Sequence, residues 1–357
     1  MNARVLRAVC WLYMRVNLAA GSLAALAWLT IVAAAQNGSA PPLDPPGRLI
    51  DVGGWRVHLY CTGTRNATTP TVILEAGVGD FSVEWSLVQP GIAKFARVCS
   101  YDRAGDGWSD LGPGPRTMHQ IVYELHTLLD RAGERPPFVL VGHSFGGWPV
   151  QWYTSTYRSD VAGLVLVEPG VDDPVRVLFD GKTVRSLHSS DLVTGQAIPA
   201  IQTSNPLRES DIPPEALKQI TAGLSNASLH ANEAPRDKLP IDAQRMRTWA
   251  LGQVKHYAAA FNPFEDEELA RLRADHGKLD HPLGDLPLVV LTRGLLDEQG
   301  PDAPALEAEH RKAHATMATL SRRGKLVVAE HSGHHIQLDE AQLVVTTIQE
   351  TVAGTKN

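Results

Sequence analysis

Apolar positions along this chain follow two rhythms. Unbroken runs rich in β-branched residues occur at 71–77 ("TVILEAG"), 96–102 ("ARVCSYD"), 137–143 ("PFVLVGH"), 161–169 ("VAGLVLVEP"), 286–294 ("LPLVVLTRG") and 325–330 ("KLVVAE"). Such runs predict strands buried on both faces. Between them the spacing lengthens to that of a helix. In "MHQIVYELHTLLDRAG" the residues Ile121, Leu125, Leu128 and Leu129 share one face, and Gly133 ends it. Helical stretches are also predicted at 150–160, 305–322 and 341–352, and "RLIDVGGWRVHLYCTGT" reads as two short strands around Gly53-Gly54. Alternating strands and helices predict a parallel sheet covered on both faces.

The alternation breaks once. From Glu168 to Leu286 no run reads as a strong strand, several prolines occur, and pieces such as "PPEALKQITAGL" are amphipathic. A segment this long in a regular α/β chain is expected to be a helical cap rather than a loop. The predicted organisation is an α/β core at 49–170 and 285–357 with the cap at 171–284. Cap aromatics and methionines, among them Trp249, Met246 and Phe264, are expected to pack.

The first 48 residues differ in kind. Arg4, Arg7 and Arg15 come first, and no charged residue then appears from Val16 to Leu43. An apolar run of about 20 residues spans a bilayer as a helix. Arginines on its leading side favour an N-in orientation, with the rest of the chain outside the cytoplasm. Residues 1–36 are therefore expected to be a signal-anchor or a cleaved signal peptide, with "AAA" at 33–35 as the cleavage candidate and the anchor preferred for its length. The expected location is the cell membrane, or the periplasm or exterior if the segment is removed. Residues 37–48 read as a Pro-rich tether.

Composition removes some alternatives. Net charge is -6, and beyond the N-terminus no Lys/Arg-rich block occurs, which argues against a nucleic-acid partner. Cys10, Cys61 and Cys99 are too few and too scattered for a zinc site or a disulfide framework. No metal and no cofactor is expected.

The chemistry gathers where the strand "PFVLVGH" meets a helix. Gly142-His143-Ser144-Phe145-Gly146 fits G-x-S-x-G. A serine on that sharp turn is forced toward positive φ, and the flanking glycines let neighbouring backbone approach. Its base is sought in "EHSGHHIQLDEAQLV", where His334 follows Ser332-Gly333 and His331 and His335 are rivals. The orienting acid is sought in "VVLTRGLLDEQG", with Asp297 first and Glu298 and Asp302 behind it. The order Ser144, Asp297, His334 matches that of the class with this elbow.

These motifs together resemble the α/β-hydrolase superfamily, in particular its capped branch of esterases, lipases and C–C bond hydrolases. "VGHSFGG" is similar to the nucleophile elbow, "YDRAGDGWSD" to the segment "YDRxGxGxSD", "GLLD" to the acid turn and "SGHHIQLDEAQLV" to the histidine segment. The resemblance covers residue 49 to the end apart from the insertion. It implies a mostly parallel eight-stranded sheet, Ser144 as nucleophile, Asp297 as acid and His334 as base. Asp172 and Asp173 occupy the position from which some members draw the acid instead.

One segment departs from the pattern, since "LEAGVGDFSVEW" has Ala76-Gly77 where relatives carry His-Gly. Because a backbone amide does the work, the implied oxyanion donors are Val78, or Gly79 beside it, and Phe145. Asp102 and Arg103 read as a structural ion pair. Cys61 and Cys99 fall on strands that neighbour each other in this fold, and with register unknown two buried free thiols are expected over a bond.

The expected activity is cleavage of a carboxylic ester through an acyl-enzyme on Ser144. Acyl transfer, thioester or C–C hydrolysis on the same residues, or a silent fold serving in binding, are the alternatives.

Overall fold

The computed structural model describes residues 43–171, 176–179, 184–187, 193–260, 262–296 and 303–355. The N-terminal apolar segment and the expectations attached to it lie outside these residues. No helix among the described residues is long and apolar enough to cross a membrane.

Eight strands form one sheet: β1 (Arg48–Asp51), β2 (Arg56–Thr62), β3 (Thr71–Glu75), β4 (Val98–Tyr101), β5 (Phe138–His143), β6 (Val161–Val167), β9 (Leu288–Arg293) and β10 (Gly324–Ala329). Their spatial order is β1-β2-β4-β3-β5-β6-β9-β10. Pairings β1–β2 and β2–β4 are antiparallel, and from β4 onward the sheet is parallel. This is the expected mostly parallel, eight-stranded α/β architecture.

Alternation along the central strands explains the two covered faces, because successive side chains point to opposite sides. Leu140 of β5 joins Leu125 and Leu128 of α2 (Met118–Ala132) and Tyr153 of α3 (Gly147–Thr156) in one apolar cluster. Its neighbours Val139 and Val141 join Ile92 of α1 (Gln89–Ile92) and Val344 and Ile348 of α10 (Ala341–Gly354) in the other. Helix α2 begins with Thr117 Oγ1 accepting from the Gln120 amide at 3.2 Å and stops at Gly133, whose φ is 78°.

Between β6 and β9 lie α4 (Pro214–Leu229), α5 (Ile241–Leu251), α6 (Val254–Ala258) and α7 (Glu265–His276). Trp249 of α5 stacks near Trp108, with centroids 5.6 Å apart, as expected of a packing residue. The same region holds an antiparallel pair of strands, β7 (Arg176–Phe179) and β8 (Val184–Leu187), which an all-helical reading leaves out. The signal for it is Asp180-Gly181 between the short runs "RVLF" and "VRSL". After β9 come α8 (Ala303–Ala318), β10 and the short α9 (Ile336–Asp339).

Cys61 of β2 stands directly opposite Cys99 of β4. Their Cα atoms are 4.0 Å apart and the two form a disulfide, which corrects the expectation of free thiols. Strand register decided the matter, and register is what the sequence alone withholds.

Candidate active site

Strand β5 delivers Ser144 at the carboxyl edge of the sheet. Its φ is 52°, the left-handed value that the elbow demands. A Cβ on Gly142 would stand 2.4 Å from the Gly146 carbonyl oxygen, and one on Gly146 would stand 2.6 Å from the Ala76 oxygen. No larger residue fits either place, so both glycines are required by close approach.

His334 follows β10 and reaches back over the same edge. Its Nε2 lies 2.9 Å from Ser144 Oγ, hydrogen-bond range for a hydroxyl and an imidazole. The loop that carries it is pinned by Asp339, whose Oδ2 accepts from Ser332 Oγ at 3.1 Å and from the Gly333 amide at 3.2 Å. Of the rivals, His331 is exposed, while burial and the neighbouring Arg236 hold His335 down at about 2.

The elbow residue between glycine and serine also takes part. His143 Nε2–H donates to the His334 carbonyl at 3.0 Å, and Gln337 Nε2 approaches His143 Nδ1 at 3.4 Å. Burial lowers the His143 pKa, in keeping with a neutral ring that donates through one nitrogen and accepts through the other.

Asp297, Glu298 and Asp302 lie outside the described residues, as do Asp172 and Asp173. The turn leading toward Asp297 is tied to the histidine loop, since the Leu295 amide donates to the Ser332 carbonyl at 3.0 Å. The structure adds a carboxylate that the sequence reading passed over. Glu168 directly follows β6 with φ 44°, is fully buried, and sets Oε1 4.0 Å from His334 Nδ1. That is a charge–charge distance rather than a hydrogen bond. The same oxygen takes His310 Nε2–H at 2.6 Å and Arg293 Nη1 at 3.0 Å, and Oε2 takes the Arg293 amide at 2.7 Å. Burial alone would raise its pKa, but the His310 bond, with His314 and Arg293 close by, holds it at about 2. Glu168 is thus a fixed anion facing the base. The signal for it is the acid in "VLVEP" at the carboxyl end of a buried strand.

Glu168, His310 and His314 bring potential metal-ligand atoms within 4.8 Å of one another, a grouping not foreseen from spacing. Both His314 nitrogens are already engaged, Nδ1 with Thr292 Oγ1 at 2.9 Å and Nε2 with the Pro169 carbonyl at 2.8 Å. The trio therefore has the bonding of a polar brace beneath the site.

The loop after β3 carries Val78, half exposed, beside the elbow residue Phe145; both line one small pocket with Arg103, Ile121 and Asn262. Arg103 does not pair with Asp102. It pairs with Glu75 at 2.6 Å and Asp106 at 3.2 Å, while Asp102 faces His58 at 3.0 Å and accepts from the amides of Ser82 and Trp108. Each acid is needed where backbone donors or another cation must be satisfied, so the two neighbours in sequence pin different loops.

Residues 236–256 meet this part of the core through polar contacts. Arg236 and Arg247 meet the buried pair Asp80 and Glu84, Lys238 meets Asp339 at 2.6 Å, and Lys255 reaches the Ser109 carbonyl at 2.7 Å. Burial would raise both carboxylates, but the two arginines hold Asp80 below the usual range. Burial and the Asp80 charge instead push Glu84 up to about 7.

Comparison with known proteins agrees with this architecture. An esterase from Thermogutta terrifontis superposes with a TM-score of 0.55 at 18% identity, covering 87% of this chain and 100% of that one. An enol-lactonase from Burkholderia xenovorans gives 0.55 at 16%, over 85% and 98%. At these identities the likeness speaks for the fold. An AB hydrolase superfamily protein of Gibberella zeae is 24% identical over 79% of this chain and 86% of its own length. A Hormonema carpetanum protein described as a transporter is 33% identical over 129 residues, 35% of this chain, which spans only 18% of that protein. The sequence model of the alpha/beta hydrolase family matches residues 72–347, most of the chain. With the elbow and the sheet order in place, the chain belongs to the alpha/beta hydrolase family.

Proposed function

We propose that this protein is a serine hydrolase that cleaves a carboxylic ester. The observation that carries the reading is the 2.9 Å approach of His334 Nε2 to Ser144 Oγ on a left-handed elbow. Ser144 O–H gives its proton to Nε2 while Oγ bonds to the acyl carbon. The negative oxygen that forms is received by the amides of Val78 and Phe145, a contribution of about 3 kcal/mol per donor. His334 then returns the proton to the leaving alcohol. Water, activated by the same nitrogen, releases the acid and restores Ser144.

Asp297 is proposed to hold His334 Nδ1–H by a direct hydrogen bond. Glu168, at 4.0 Å, adds its fixed charge to the stabilisation of the imidazolium. The helices between β6 and β9 are proposed to form the cap that sizes the substrate. Membrane attachment through the N-terminal segment is also proposed, and the Cys61–Cys99 bond supports an oxidising compartment for the domain.

The test is hydrolysis of p-nitrophenyl esters from acetyl to palmitoyl, with Ser144→Ala as control. Turnover in the parent that vanishes in the variant is expected. A folded parent that turns over none of the esters rejects the reading.

A further inference from the structure

We propose that His256, on helix α6 of the segment between β6 and β9, is a positioning residue for the oxyanion loop, so that the loop is held in working shape only while α6 is seated. The inference rests on the reading above, in which the Val78 amide receives the oxyanion.

The loop runs from Ala76 to Asp80, and four of its carbonyls accept from two side chains. Arg103 donates through Nη1 to the Ala76 oxygen at 2.7 Å, and through Nη2 to Gly77 at 2.6 Å and Asp80 at 3.3 Å. His256 Nε2–H donates to the Gly79 oxygen at 3.0 Å. In a trans peptide the C=O and the following N–H point in opposite directions. Fixing the Gly77 carbonyl on Arg103 therefore turns the Val78 N–H away from the guanidinium. Fixing the Gly79 carbonyl on His256 sets the next-but-one peptide, whose Asp80 N–H closes the turn on the Gly77 oxygen at 3.2 Å.

One line of buried side chains connects the two clamps. Glu75 anchors Arg103 at 2.6 Å, Asp106 Oδ2 stands 3.2 Å from Arg103 Nη2, and Asp106 Oδ1 stands 3.4 Å from His256 Nδ1. All four groups are nine-tenths buried or more. Only His256 comes from outside the core strands and their loops. Without it the Gly79 carbonyl is released, and the backbone of the Gly77–Asp80 turn keeps Arg103 alone, with Arg236 and Arg247 holding only the Asp80 carboxylate.

The experiment uses the full chain in detergent, with the rate of Ser144 labelling by a fluorophosphonate as readout and p-nitrophenyl acetate kinetics beside it. His256→Ala is expected to label about tenfold more slowly and to lose kcat with KM nearly unchanged, a displaced donor mattering less than the 10²–10³ of a deleted one. His256→Gln, whose amide nitrogen reaches the same carbonyl, should recover most of the rate at an equal melting temperature. Wild-type labelling by His256→Ala, or equal loss in the Gln and Ala variants, overturns the proposal. A parent that labels no better than Ser144→Ala would instead reject the serine hydrolase reading, and this inference with it.

Discussion

The imidazole beside the nucleophile holds the backbone of the base: His143 Nε2–H donates to the carbonyl of His334 at 3.0 Å. Elbow and histidine loop are thereby fixed to each other independently of the Ser144–His334 contact. His143→Ala should leave the His334 carbonyl unsatisfied and let the loop shift. A displacement near 1 Å is enough for roughly 10²-fold in rate. Steady-state kinetics on His143→Ala should show kcat falling by at least tenfold, and an unchanged kcat would remove His143 from the site.

Glu168 stands 4.0 Å from the His334 imidazole, and the role of orienting that imidazole is the one proposed for Asp297. Asp297→Asn should lower kcat by about 10⁴, as expected when the orienting acceptor is lost. Glu168→Gln, which removes a charge 4.0 Å away, should lower it only severalfold while reducing stability, because Arg293 and His310 lose a buried partner. If Glu168→Gln proved the more damaging to kcat, the two assignments would be exchanged.

The disulfide closes a loop across a sequence separation of 38. Replacing both Cys61 and Cys99 by serine should destabilise the folded domain by about 2–4 kcal/mol in chemical denaturation. Because β2 and β4 lie away from the elbow, kcat of the still-folded variant should be nearly that of the parent.

Stability should also depend on pH through Glu84. Its folded pKa, pushed up to about 7 by burial and Asp80, lies above the ordinary glutamate value. The folded state then binds more protons than the unfolded one between roughly pH 4.3 and 7. Stability from this group is complete below that window and is lost as pH rises through it. The melting-temperature advantage of the parent over Glu84→Gln should shrink from pH 5 to pH 8. An advantage that grew with pH would contradict the assignment.

Much of this was legible before any coordinates. The runs that became β3, β5, β6 and β9 are buried on both faces, so their unbroken hydrophobicity announced them. Ser144 stands in a turn whose glycines, Gly142 and Gly146, are needed for close approach. What stayed hidden depends on relations across the chain. Cys61 meets Cys99 through strand register. Glu168 meets His334 because β6 and β10 flank β9 in the parallel sheet, so the residues that follow them reach the same edge. The hairpin β7–β8 was missed because each strand is only four residues long, too short for a period to show. Neighbours in sequence also misled, as Asp102 and Arg103 serve separate loops.

The contacts of Arg236, Arg247, Lys238 and Lys255 bear on behaviour at an oil–water boundary. A lid held shut by grease is released when an apolar phase offers its inner face a new home. In the cap proposed above the fastening through Arg236, Arg247 and Lys238 is ionic and partly buried, and attraction between such charges grows as the surroundings become less polar. Contact with a droplet should thus tighten the seat. Velocity plotted against substrate concentration should pass through the solubility limit of a long-chain ester without an upward break, placing this protein with hydrolases that work on dissolved molecules.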